Sequence, residues 1–134
     1  MKQENFETQC ADGVKLSGIL LIPEKLKAVV QFNCGTATKK EYYLKFLTYL
    51  AENGYLCCLW NYRWTNESDN LKNRDLSYID YGLKDMPAIK SYLDKRFPHL
   101  PFMLIGHSVG GQQIGFMNNL DNVVGNINIA VSSG

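Results

Sequence analysis

Gly106-His107-Ser108-Val109-Gly110 follows the apolar run Phe102-Met103-Leu104-Ile105. A serine bracketed by glycines at this spacing suits a nucleophile at the tip of a strand that turns sharply into a helix, because only small neighbours permit that turn. The helix then aims its first amides at negative charge developing beside the serine oxygen. A serine hydroxyl attacks almost nothing at neutral pH unless a base within hydrogen-bond reach takes its proton. The pattern therefore calls for a histidine that serves Ser108.

The chain holds two, His99 and His107. His107 adjoins the serine, and successive side chains diverge, so its ring is expected to point away from the serine oxygen. His99 lies in the Phe97-Pro98-His99-Leu100-Pro101 turn, which enters the strand from its far end. A strand length of roughly 13–17 Å separates it from Ser108, against the ~3 Å that a general base needs. His99 reads as a solvated turn residue. Neither histidine suits the task.

The surrounding elements read as alternating strands and helices in one unit, without repeats or linkers. Residues 5–10 and 15–22 form two strands around the turn triplet Ala11-Asp12-Gly13, a hairpin signal. Ala28 to Asn33 is a third strand. A Cys34-Gly35-Thr36 loop leads from it to a helix opening at Thr38, with Glu41 completing a capping box. Tyr43, Phe46, Leu47 and Leu50 recur there at helical spacing until Asn53-Gly54 ends it. Tyr55 to Trp60 is apolar throughout, as expected of a parallel strand covered on both faces. After a polar loop over 61–77, a helix runs from about Asp80 to Arg96, with Pro87 near its first turns or at a kink and Asp85 as a cap. Phe102 to Ile105, Gly110 to Asn119 and Val123 to Val131 then read as strand, helix and strand.

Composition narrows the function. The 134 residues suit one modest domain, short for an α/β enzyme with a full sheet. Fourteen Lys and Arg against thirteen Asp and Glu leave a net charge of +1 without basic blocks, so no nucleic-acid partner is expected. The polar N-terminus and strand-length apolar runs predict no signal peptide and no membrane span. Cys10, Cys34, Cys57 and Cys58 lack CxxC spacing and read as free thiols in a reducing cytoplasm, not as disulfides or a metal site. Cys34 has no histidine near it in sequence and reads as a packed or idle thiol. No Gly-x-Gly-x-x-Gly follows the early strands, which argues against a dinucleotide cofactor; no cofactor is expected.

These residues together resemble the first half of an α/β-hydrolase, of the bacterial serine-hydrolase group related to lysophospholipases and serine aminopeptidases. The resemblance covers essentially the whole chain. Ala11-Asp12-Gly13-Val14-Lys15-Leu16-Ser17-Gly18 resembles the family's first hairpin, Tyr81-Gly82-Leu83-Lys84-Asp85 with Pro87-Ala88-Ile89 the helix before its elbow, and residues 100–112 the elbow itself. Two departures stand out. Where the family usually shows Asp-x-Arg-Gly-x-Gly-x-Ser, this chain reads Asn61-Tyr62-Arg63-Trp64-Thr65-Asn66-Glu67-Ser68, so the loop is expected to take another path. Trp64 there either lines a pocket or covers the sheet edge. Where many relatives carry His-Gly, this chain has Asn33-Cys34-Gly35-Thr36.

The resemblance implies a mostly parallel sheet with an N-terminal antiparallel hairpin, residues 1–134 being the N-terminal part of the domain, cut after about the sixth strand. It implies hydrolysis of a small-molecule ester, thioester or amide through an acyl-Ser108 intermediate. The amide of Val109 and an amide of the loop after the third strand, Gly35 rather than Thr36, would form the oxyanion hole. In this family the acid and then the histidine follow later strands, whereas residues 121–134 offer only Asp121, which precedes the sixth strand. The triad acid and base are thus expected outside these 134 residues, as in a truncated product or fragment. The sixth strand would then leave an apolar edge, Ile127, Ile129 and Val131, that invites self-association. The alternative function is an inactive hydrolase-like domain that binds a ligand or partner through that edge.

Overall fold

The computed structural model describes residues 1–35, 41–63 and 79–129. β1 (Lys2–Gln9) and β2 (Lys15–Ile22) pair antiparallel in full register, Lys2 opposite Ile22 and Gln9 opposite Lys15. Gly13, at φ 91°, supplies the left-handed residue of the turn between them, and the Cys10 and Gly13 amides close it onto Val14 O and Cys10 O.

β3 (Ala28–Asn33), β4 (Tyr55–Trp60), β5 (Phe102–His107) and β6 (Val123–Ile129) complete a six-stranded sheet in the order β1-β2-β4-β3-β5-β6. β2 meets β4 antiparallel; the β3/β4, β3/β5 and β5/β6 pairs are parallel. The apolar runs of β3 and β4 are buried along nearly their whole length, as strands covered on both faces require.

Two helices supply that cover. α1 (Glu41–Glu52) buries Tyr43, Leu47 and Ala51 and packs on β4 and β2. Phe46, expected on the buried stripe, is 44% exposed, because the stripe follows the i, i+4, i+8 row instead. The expected helix start at Thr38 and its capping box lie outside the described residues. α2 (Met86–Arg96) packs on β1 and β3 and buries Met86, Ile89, Lys90 and Leu93. Gln31 Nε2 reaches Met86 O on α2, whereas its neighbour Phe32 stacks against Tyr43 on α1. Adjacent strand residues point to opposite faces, so the helices cover opposite faces of the sheet.

A π-helical turn, Tyr81–Asp85, precedes α2. Pro87 lacks an N–H and its ring would strike the carbonyl four residues earlier in a regular helix; the wider turn, with Met86 N–H bonded to Tyr81 O, removes that conflict. Asp85 does not cap α2 as the sequence suggests. Its carboxylate, fully buried, accepts from the Arg63 amide (2.7 Å) and Arg63 Nε (2.6 Å). Arg63 also donates to Asp12 through both terminal nitrogens, at 2.8 and 3.3 Å. This ion pair ties the β1–β2 turn, the segment after β4 and the start of α2 together.

Lys90, likewise buried, lies over the Phe102 ring at 4.5 Å and donates to Asp94 (2.7 Å) and Asn122. Asn119 Nδ2 donates to Pro87 O at 3.1 Å. The segment entering β6 is thereby fastened to α2. β6 itself has only β5 beside it among the described residues, and Val124, Ile127 and Ile129 are exposed. The expected apolar edge is present at Ile127 and Ile129, while Val131 lies outside the described residues.

Removing one partner of the buried pair leaves a charge uncompensated, so Asp85→Ala is expected to lower stability by about 3 kcal/mol or more in urea unfolding. Arg63 holds the Asp12 carboxyl below the usual carboxylate range, chiefly through its hydrogen bonds. The folded value lies below the unfolded one, so this contribution is full above about pH 4 and is lost as pH falls through the folded value. Melting temperatures from about pH 5 down to about pH 2 are expected to fall less steeply in Asp12→Asn than in the native chain.

Candidate active site

β3 lies between β4 and β5, and the chain runs from β3 through α1 to β4 on one face, then crosses by α2 on the other face to β5. The segment after β5 lies on the α2 side, where a Cβ on Gly82 would be 2.3 Å from Gln113 O, so the loops leaving β3 and β5 depart to opposite sides. In open α/β sheets the crevice beyond the strand ends at such a switch point is where ligands bind. Asn33 pairs with Gly106, so the two strands end level and their loops face each other.

Ser108 follows β5 directly, half-buried, with φ 55° and ψ −120°. That backbone is unfavourable for a residue carrying a Cβ and persists only where its surroundings hold it. Here they do. The Ser108 amide donates to Ile129 O at 3.0 Å, and Ser108 O accepts from the Gly111 and Gln112 amides at 3.0 and 3.1 Å. A Cβ on Gly110 would lie 2.0 Å from Asn33 O, and one on Gly106 would lie 2.5 Å from Gly111 Cα. The turn is thus packed backbone against backbone, which only glycine allows.

α3 (Val109–Gln112) opens at the turn, and its first amides, Val109 among them, have no acceptor within the helix. The helix is shorter than the expected Gly110–Asn119. It tightens into a 3₁₀ turn, Gln113–Phe116, and Met117 is extended. Gly110, Gly111 and Gly115 weaken a helix that the elbow begins, so the sequence overstates its length.

Across the crevice, Gly35 stands close to the serine: a Cβ built on it would lie 3.5 Å from Ser108 Cβ and 3.2 Å from His107 Nδ1. Its amide donates to Tyr43 Oη at 3.2 Å, and Tyr43 Oη is also 2.7 Å from His107 Nδ1. His107 therefore bonds away from Ser108. His99, exposed at φ 69°, sits in the turn before β5, at the other end of that strand. Among the described residues no side chain bonds the Ser108 hydroxyl, and Asp121 is exposed in the turn entering β6, at the opposite end of that strand from Ile129. Thr36 and Trp64 lie outside the described residues.

Cys34 is buried beside the crevice, and its carbonyl accepts from Tyr62 Oη at 2.7 Å. Cys10, Cys57 and Cys58 are free and buried; burial pushes the Cys10 and Cys57 thiols up to about 12 and Cys58 well above its ordinary value. Thiols so held are poor nucleophiles. The described residues contain no cluster of His, Cys, Asp and Glu able to hold a metal, and no helix long and apolar enough to cross a membrane.

Beneath the loop, Asn33 Oδ1 accepts from Trp60 Nε1 (3.2 Å) and Gln31 Nε2 (3.0 Å), all three side chains buried. Tyr43 and Tyr62 are the residues that reading the sequence missed. Tyr43 reads there as one of a helix's apolar stripe, and Tyr62 falls in the polar loop after the fourth strand. The available signal was that a buried tyrosine needs a partner for its hydroxyl, and Tyr62 directly follows the end of β4.

The sheet order, the crossing at β3 and the strained turn after β5 are those of an α/β-hydrolase. Over residues 24–117 the chain matches the serine aminopeptidase S33 family, and it belongs to that family of hydrolases. It is similar in structure to a thermostable carboxyl esterase from Bacillus coagulans, with a TM-score of 0.79 at 18% identity over 96% of this chain and 44% of that one. It is also similar to the esterase Pf2001 of Pyrococcus furiosus, with a TM-score of 0.76 at 21% identity over 93% of this chain and 49% of that one. The α/β hydrolase GrgF from Penicillium sp. sh18 gives 0.76 at 19% identity, covering 98% and 46%. The chain spans less than half the length of these proteins. Comparison with curated proteins finds no match.

The packing at the elbow makes a direct comparison of two glycines. Gly110→Ala is expected to destabilise the chain by roughly 2 kcal/mol or more, because its Cβ meets backbone that cannot yield. Gly115→Ala, where nothing lies within 4 Å of the added Cβ, is expected to be neutral or stabilising by up to about 1 kcal/mol. Urea unfolding of both variants checks this.

Proposed function

We propose that Ser108 is the nucleophile of a serine hydrolase acting on a small-molecule ester, thioester or amide. The observation that carries the reading is a half-exposed serine held at φ 55°, ψ −120° where β5 turns into α3, facing the loop after β3. In the reaction a base takes the Ser108 proton while Oγ attacks the substrate carbonyl. The carbonyl oxygen becomes an oxyanion, which the amides of Val109 and Gly35 are proposed to bind. Collapse breaks the bond to the alcohol, thiol or amine, which leaves with the proton, and water then releases the acyl group from Ser108. Donors fixed in place before charge develops are worth about 10²–10³ in rate each.

The base and the triad acid are proposed to come from outside these 134 residues. His107 is turned to Tyr43, His99 is a β5 length away, and the similar esterases are about twice as long. The buried free thiols are compatible with a reducing cytoplasm. A second reading, an inactive hydrolase-like domain that binds a partner, is favoured by one feature: the exposed apolar residues along the open β6 edge.

In protein isolated from its own cells, a fluorophosphonate should label the peptide carrying Ser108, and Ser108→Ala should lower p-nitrophenyl acetate turnover at least about 10⁴-fold. The 134-residue chain by itself should hydrolyse that ester no faster than its Ser108→Ala variant. An isolated protein that is intact and ligand-competent but never labelled at Ser108 would favour the binding domain.

A further inference from the structure

The carbonyl of Cys34 and the amide of Gly35 are two ends of one peptide group, and each end is held by a tyrosine hydroxyl from a different element. Tyr62, just after β4, donates its hydroxyl proton to Cys34 O at 2.7 Å. Its ring is stacked on Tyr81 with centroids 4.0 Å apart and edge-on to Trp60 at 4.5 Å, so the hydroxyl has little freedom to move. Tyr43, on α1, accepts the Gly35 N–H at 3.2 Å. Its own ring packs on Phe32 at 4.5 Å.

The chemistry of these bonds determines where the protons are. Tyr43 Oη has one proton, and with Gly35 donating to it the remaining partner among the described residues is His107 Nδ1 at 2.7 Å. If Nδ1 carried a proton, both groups would donate to the hydroxyl and its proton would be left without an acceptor in a buried place, an expensive arrangement. The hydroxyl therefore donates to Nδ1, and the imidazole carries its proton on Nε2. Burial pushes the Tyr62 hydroxyl well above its ordinary range, in keeping with a group that stays protonated and donates.

A trans peptide is planar, so fixing its C=O fixes the direction of its N–H. We propose that Tyr43 and Tyr62 are positioning residues that lock the plane of the Cys34–Gly35 peptide beside Ser108, one holding its N–H and the other its C=O. Tyr43 Oη is the acceptor of that amide while the site is empty, and the substrate's oxyanion takes its place. This rests on Gly35 being an oxyanion donor, but the peptide lock can be measured without any reaction at Ser108, so the two fail separately.

The test is amide hydrogen exchange and imidazole ¹⁵N NMR on the native chain, Tyr43→Phe and Tyr62→Phe, with the Gly111 amide, bonded to Ser108 O, as the internal reference. Phenylalanine keeps each ring and removes only the hydroxyl. Loss of one such bond corresponds to about fivefold faster Gly35 exchange relative to Gly111. The decisive arm is Tyr62→Phe, which touches the peptide only at its far end and is nevertheless expected to accelerate Gly35. In the native chain His107 is expected as the Nε2–H tautomer, a preference lost in Tyr43→Phe. The proposal is overturned if Tyr62→Phe leaves Gly35 exchange unchanged or accelerates Gly111 equally. It is also overturned if native His107 carries its proton on Nδ1, a result that needs no variant to fold.

Discussion

The left-handed backbone of Ser108 is the constraint around which the C-terminal ends of the strands are arranged. A β-carbon-bearing residue at φ 55°, ψ −120° is held by what surrounds it: the amide bond to Ile129, the first turn of α3, and backbone contact with Asn33 through Gly110. Each contact belongs to a different strand or loop. Strain at Ser108 can persist only if β3, β5 and β6 keep their register, so the parallel centre of the sheet and the elbow specify each other. The same close approach that denies side chains to residues 106 and 110 brings Gly35 next to the serine.

Rigidity beneath the crevice comes from polar groups buried among apolar ones. Gln31 and Trp60 both donate to Asn33 Oδ1 at the end of β3, and Arg63 with Asp85 and Asp12 joins the first hairpin to α2. Buried pairs of this kind add little net stability compared with well-packed apolar groups, but they tolerate few alternative arrangements. Their position suits a role in orientation. Arg63 directly follows Tyr62, so the ion pair also sets where the Tyr62 hydroxyl meets the β3 loop.

Much of this was legible in the residue order. The apolar blocks of β3 and β4 lie where the sequence places them, with the expected ends, and the elbow was readable because its glycines, serine and flanking strand occur together. The residue order sets both histidines apart from Ser108; in the structure His107 bonds Tyr43, and His99 lies at the far end of β5. What the sequence hid were contacts between distant residues. Asp85 looked like a helix cap because its local position allows one, and only the fold brings Arg63 to it. Tyr43 looked like one of a helix's apolar stripe and Tyr62 like part of a polar loop, because nothing local to either residue names the partner of its hydroxyl. The π turn before Pro87 was foreshadowed only as a kink, since the residue types do not distinguish the ways a helix can accommodate proline.

We propose that the fold delivers Ser108 ready to attack once a base is supplied. Imidazole supplied from solution can stand in for one. The direct measurement is the rate at which a fluorophosphonate modifies Ser108 in this chain as imidazole concentration is raised, with the modified residue located by peptide mass spectrometry. A rate that rises with imidazole, at Ser108 and absent from Ser108→Ala, is the predicted result. A folded chain in which Ser108 stays unmodified at every imidazole concentration, or in which the reagent goes elsewhere, would contradict it.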